Sequence, residues 1–316
     1  MTESTPNQNF LVPIVLVFVL FLALAIFPPL GALIGVLSPF PLVFVALQKG
    51  RQVGIALMAL VFVTLLLLVG ADQATLFLAE YALLALLLGE MIRYRLSADR
   101  CIALSAVVTS LVSLVVLMVL FGDQETSVKV FFEEQIRAHF AQSMKSFESI
   151  GESPAEVASM KAFAERTAES FAGSYPAFLF IGSLISTAAN YALVRIAWTR
   201  LYGSGLFSEG KFSEWICLEN LVWLFIGSGV ALFIGQGEIE EAGLNVFLVM
   251  LFIYFIQGLS IVVYFLKARN VQVFFWFVLF ILIFVQPLLI GLVAGLGVFD
   301  IWADFRKLRI ASAEDI

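Results

Sequence analysis

The sequence predicts an all-α, polytopic membrane protein of about nine to ten transmembrane helices, with an amphipathic helical hairpin outside the membrane. Three observations predict it. The 316 residues are 61% hydrophobic and only 13% charged, where soluble domains carry about 25% charged residues. Apolar runs near or above ~18 residues recur, the length needed to cross ~30 Å of hydrocarbon. Lys and Arg cluster in alternate connections between the runs, as the positive-inside rule requires. A transmembrane barrel would show alternating segments of ~10 residues instead.

The runs fall near 11–27, 29–47, 53–70, 74–92, 101–121, 175–198, 215–235, 245–266 and 271–299. No Lys or Arg precedes the first run in MTESTPNQN, so that run reads as retained rather than as a cleaved signal. Pro28 and Pro29 end it, since proline lacks an N–H and restricts its predecessor. Gly31, Gly35, Pro39 and Pro41 make the second run short or broken. Lys49 and Arg51, then Arg93, Arg95 and Arg100, then Arg195, Arg200 and Lys211, then Lys267 and Arg269 mark one side. Asp72 and Glu238, Glu240 and Glu241 mark the other. The basic side is expected to be cytoplasmic, together with the N-terminus. Cys101 and Cys217 fall on it and read as reduced structural thiols.

The organisation expected is N-terminal transmembrane helices over 1–121, a hairpin over 122–174, and C-terminal transmembrane helices with a cytoplasmic tail over 175–316. In the hairpin, Phe132, Ile136, Phe140, Met144 and Phe147 recur on one helical face. A second helix is signalled by Ser153, Pro154 and Glu156 as cap, first position and capping partner. The pair reads as packed on the membrane domain, lying in the headgroups, or serving as a docking lid.

The stretch from Asn270 to Phe299 holds no charge. Thirty helical residues span ~45 Å, too long for one upright crossing and short of the ~60 Å of two. Gln286 and Pro287 sit near its middle. A break there, with Pro287 as hinge and two short arms, brings Arg306, Lys307 and Arg309 back to the basic side. One long kinked helix is the alternative.

Polar groups at lipid depth are costly and are therefore candidates for function. Asn190, Glu219, Asn220, Gln257 and Gln286 are the candidate ligand-binding residues, and convergence of their helices would make a polar pocket. Glu80 is a further buried carboxyl, read plainly as snorkelling or protonated. Arg195 and Glu219 are a candidate structural ion pair, and Asp300, Asp304 and Arg306 form a C-terminal motif. The same residues also fit a set of interhelical hydrogen bonds with no ligand.

Catalysis is not expected. There is no GxxxxGK[ST] loop, HExxH or CxxC, and His139 is the one histidine; hence no catalytic residue, metal site or cofactor is expected. A net charge of -6 gives no reason to expect nucleic acid. The expected partner is the lipid bilayer, with other membrane or cytoplasmic proteins and a small-molecule ligand left open.

The stretches FSEWICLENLVWLF (212–225), FIQGLSIVVYFL (255–266) and GVFDIWADFRKL (297–308), with the Pro287 segment and the Asn190–Arg195 spacing, resemble the YybS-like family of bacterial membrane proteins. PPLGALIGVLSPFPLVFVALQKG fits that family's opening. The resemblance implies a bacterial plasma-membrane address and no particular reaction. More distantly the chain is similar to substrate-capture subunits of energy-coupling-factor vitamin transporters and to the rod-shape membrane protein MreD. Three functions follow in order of expectation: a transport-type subunit that captures or passes a small molecule, an envelope scaffold, and an intramembrane enzyme.

Overall fold

The structure, a computed structural model, describes residues 35–121, 171–203, 205–208 and 210–308, with isolated positions between 128 and 168. The first apolar run, most of both hairpin helices and the last residues of the tail lie outside the described residues. Every described element is helical, and each of the remaining eight apolar runs contains a helix. The chain divides into two compact units, residues 1–145 with 179–208 and residues 146–178 with 209–316.

In the first unit α1 (Pro39–Lys49) begins with Pro39 and Pro41 in its first turn, where no N–H is needed. Gly50 turns the chain directly into α2 (Arg51–Leu68) with φ +100°, a conformation that glycine adopts without a Cβ clash. The two helices then pack closely. A Cβ on Gly54 would stand 2.5 Å from that of Ala46. α3 (Ala71–Arg93) follows, and its α-helical ladder is interrupted by a π turn at Leu78–Ala82. α4 (Ala98–Phe121) and most of α5 (Tyr175–Tyr202) complete the unit. Leu42, Val43, Val61, Leu84, Leu88, Ile92 and Val194 form its core. Most of α2 instead exposes leucine and valine, as expected of a helix that faces lipid.

In the second unit α6 (Leu221–Ile234) and α7 (Glu238–Ala268) make a hairpin. Glu238, Glu240 and Glu241 lie in the first turn of α7 and Lys267 in its last, each sign matching the helix dipole. α8 (Val273–Val285) and α9 (Pro287–Ala303) meet at 104°. The break is thus where the Gln286–Pro287 pair places it, although the arms are shorter than expected. Pro287 takes the first helical position of α9, and the backbone carbonyl of Gln286 accepts the N–H of Leu289 at 2.9 Å. α9 lies directly on α7. A Cβ on Gly258 would come within 1.9 Å of the Val293 carbonyl oxygen, and one on Gly297 within 1.9 Å of the Tyr254 carbonyl oxygen.

Five helices are long and apolar enough to cross a membrane, six if the bent pair counts as one span, and 35–49 and α6 are shorter apolar helices. This is a multi-pass helical membrane protein.

Candidate functional site

The predicted polar residues separate by unit. In the second, Gln257 is wholly buried on α7, and its Nε2 donates to Asp300 Oδ2 at 2.8 Å. Arg306, past the end of α9, donates to the same oxygen at 2.9 Å, with both side chains at 2% exposure or less. The other arm of Arg306 reaches the carbonyls of Ser213 and Trp215, at 2.9 and 3.0 Å, and Ser260 Oγ at 2.7 Å. Ser260 in turn donates to the Phe212 carbonyl at 2.7 Å, and Gln257 Oε1 accepts the Cys217 N–H at 3.0 Å. Asp300 Oδ1 also accepts the Phe305 N–H at 3.0 Å, and Asp304 Oδ1 that of Leu308 at 3.1 Å.

This network explains a departure from the sequence reading. The apolar run expected from 215 becomes helix only at Leu221, the start of α6, and residues 212–217 form a short 3-10 turn and then extended chain. Buried backbone outside a helix must find its hydrogen bonds elsewhere in the protein. Gln257, Ser260 and Arg306 do this. Glu219 and Asn220 therefore precede α6 and are exposed, rather than lying one to two turns inside it. Gln286 is exposed at the break, and its side chain makes no hydrogen bond among the described residues, so it is not the local partner for a proline-freed carbonyl. The donors of Gln257 and Arg306 are largely committed to each other and to backbone. The cluster can hold an irregular segment; it offers little to a ligand.

In the first unit Asn190 is wholly buried on α5. Its Nδ2 donates to the carbonyls of Val36 and Ser186, both at 2.7 Å, and Ser186 Oγ also donates to Val36 at 2.9 Å. The Ser38 hydroxyl takes the neighbouring Gly35 carbonyl at 2.7 Å, which Pro39 cannot reach as a donor. Asn190 thus seals a break ahead of α1, as Gln257 seals one ahead of α6. Arg195 belongs to this unit and Glu219 to the other.

The space that could take a ligand lies elsewhere. A cavity of about 450 Å³ in the first unit is lined by Asp72, Gln73, Leu76, Glu80, Leu117, Phe121, Phe132 and Leu179. Drug-sized molecules occupy cavities of about this size. Glu80 sits in the π turn of α3, a distortion that frequently marks functional sites. Neither Glu80 nor Asp72 makes a hydrogen bond or ion pair among the described residues, and no basic side chain lines the cavity. Glu80 was legible as a carboxyl inside an apolar run. Asp72 and Gln73 read as an ordinary polar connection, whereas in the structure they lie in the first turn of α3, the helix that carries Glu80. Among the described residues no three His, Cys, Asp or Glu side chains gather as metal ligands.

A family model described as a predicted membrane protein (DUF2232) matches residues 15–301. No curated protein and no solved structure matches the chain.

Proposed function

Because the chain belongs to that family of predicted membrane proteins, we propose that it works as a transport-type subunit that takes a small cationic molecule into the Glu80 cavity. The carrying observation is the pairing of Asp72 and Glu80 on one cavity of about 450 Å³ whose lining includes no base. A carboxyl at depth is costly unless a cation or proton meets it. An ammonium or guanidinium group would do so, while the apolar walls of Leu76, Leu117 and Phe121 hold its hydrocarbon part. The chain has no phosphate-binding loop, so ATP hydrolysis by the usual loop is not its own energy source. The address we propose is the bacterial inner membrane, with the N-terminus, the basic connections and the C-terminus cytoplasmic, supported by the alternation of basic and acidic helix ends.

The test is native mass spectrometry of the purified protein, followed by release of bound molecules. An amine- or guanidine-bearing metabolite is expected in the wild type and absent from Glu80→Leu. A scaffold with no substrate is the second reading, favoured by the commitment of both terminal nitrogens of Arg306 to Asp300, Ser260 and backbone carbonyls. It predicts no bound metabolite and a co-purifying protein that Glu80→Leu leaves in place.

A further inference from the structure

We infer that the buried face of α4 is hydrated, and that its water connects the Glu80 cavity with the Arg100 end of the helix as a route for protons. This rests on the cavity reading above and gives it a coupling ion.

The first observation is a contrast among hydroxyls. A helical Ser or Thr ordinarily returns its hydrogen bond to a carbonyl three or four residues back. Thr64, Thr75, Ser110, Thr187 and Ser228 do so, at 2.7 to 3.0 Å. Ser105, Thr109 and Ser113 do not. Their side chains are 0%, 2% and 1% exposed, and none of the three hydroxyl oxygens has a hydrogen-bond partner. Buried polar groups in this state are characteristically served by ordered water.

Position is the second observation. Steps of four put the three hydroxyls on one stripe, spanning ~12 Å of helix. The next residue on that stripe is Leu117, which lines the cavity.

Room for water is the third. α4 packs against the π turn and the rest of α3. On that helix Ala82, Ala85 and Gly89 are buried, and a Cβ added at Gly89 would meet nothing within 4 Å. Small residues on the helix that packs against α4, one of them beside open space, leave room for water, and the three hydroxyls supply its polar partners.

Each hydroxyl both donates and accepts, so hydroxyls and waters together form a continuous file. A proton entering at the Arg100 end is taken by one oxygen, which releases its own proton onward. Glu80 accepts the last one and becomes a neutral acid. The ionisable groups that share its surroundings are Asp72, eight residues earlier on α3 and lining the same cavity, and its own neighbour Tyr81. A cation bound in the cavity would hold Glu80 ionised, so solute and proton compete for one carboxylate.

The test places single cysteines at 105, 109 and 113 in a Cys101→Ser, Cys217→Ser background, and treats membranes with a small cationic methanethiosulfonate. Val108→Cys and Val112→Cys, on the exposed side of α4, are the comparison. Labelling at the three hydroxyl positions at least tenfold faster than at 108 and 112 is expected; labelling no faster overturns the hydrated seam. Hydroxyl-radical footprinting of the unmodified protein is the check should the cysteine variants fold poorly. Oxidation at buried Cys101 is expected, and its protection overturns the seam. Vesicles carrying the protein and an internal pH dye, under an imposed potential, then read the proton. Flux lost in Glu80→Gln supports the route, and flux equal in the two overturns it. A bound metabolite with a dry seam sinks this inference alone, whereas a wet, proton-conducting seam with no bound metabolite sinks the binding reading alone.

Discussion

At the scale of single residues, the polar side chains of this protein serve mainly backbone. Gln257, Asn190 and Arg306 each direct hydrogen bonds at groups in irregular segments. The cost of burying a polar group made Gln257 and Asn190 visible in the sequence, whereas Arg306 read as a base of the cytoplasmic tail and is instead buried. Their partners were not visible, because a carbonyl or N–H leaves no mark on residue type. Within its own unit, each of Asn190 and Gln257 acts as a seal on a break in the backbone. Arg306 and Asp300 form a buried ion pair, and breaking such a pair by removing one partner typically costs about 3–5 kcal/mol, since the other charge stays behind. Asp300→Leu and Arg306→Leu should each lower the thermal midpoint in detergent sharply. The double variant should lose less than the sum of the two, by about 1–3 kcal/mol. Additive losses would show that the two charges do not depend on each other.

At the scale of elements, hydropathy located the helices well and their ends less well. An apolar run long enough to span lipid can hardly be anything but helix, so α2, α4, α5 and α7 were legible. The irregular course of residues 212–217 was not, because the bonds that hold it come from α7 and from beyond α9, distant in sequence. The Gln286–Pro287 break was legible from an uncharged length that suits neither one crossing nor two. The contact between α7 and α9 depends on two glycines, each facing the other helix's backbone. Gly258→Ala and Gly297→Ala each drive a methyl into a carbonyl. Each is expected to destabilise by about 2–4 kcal/mol, read as loss of the folded peak in size-exclusion chromatography on mild heating. Gly89→Ala, by contrast, meets open space and should leave that peak unchanged.

At the scale of the whole molecule, the helical membrane class followed from composition alone, and the sidedness expected of it follows from the basic connections. Cysteine labelling tests this without reference to any ligand. Ser97→Cys, in the turn between α3 and α4, and Ser312→Cys should both react with an impermeant maleimide only after the membrane is opened. Reaction at 312 in sealed cells would leave 271–305 as a single crossing. The cavity was the least legible feature at this scale. Asp72, Leu76 and Glu80 share a helical spacing on α3, but Leu117, Phe121, Phe132 and Leu179 come from other segments, and no local pattern records that meeting.

The arginine that clasps the 212–217 segment lies 91 residues after Trp215 in the chain. At a synthesis rate of about 5–20 residues per second, that segment waits on the order of 5–20 s for its clasp after leaving the ribosome. Throughout that interval its carbonyls have no guanidinium to turn to, so the newborn chain must shelter them in the translocation channel, against a chaperone, or at the wet surface of the bilayer. Assembly of the second unit is therefore completed from its tail, and a chain stopped short of residue 306 would be released with the wound open.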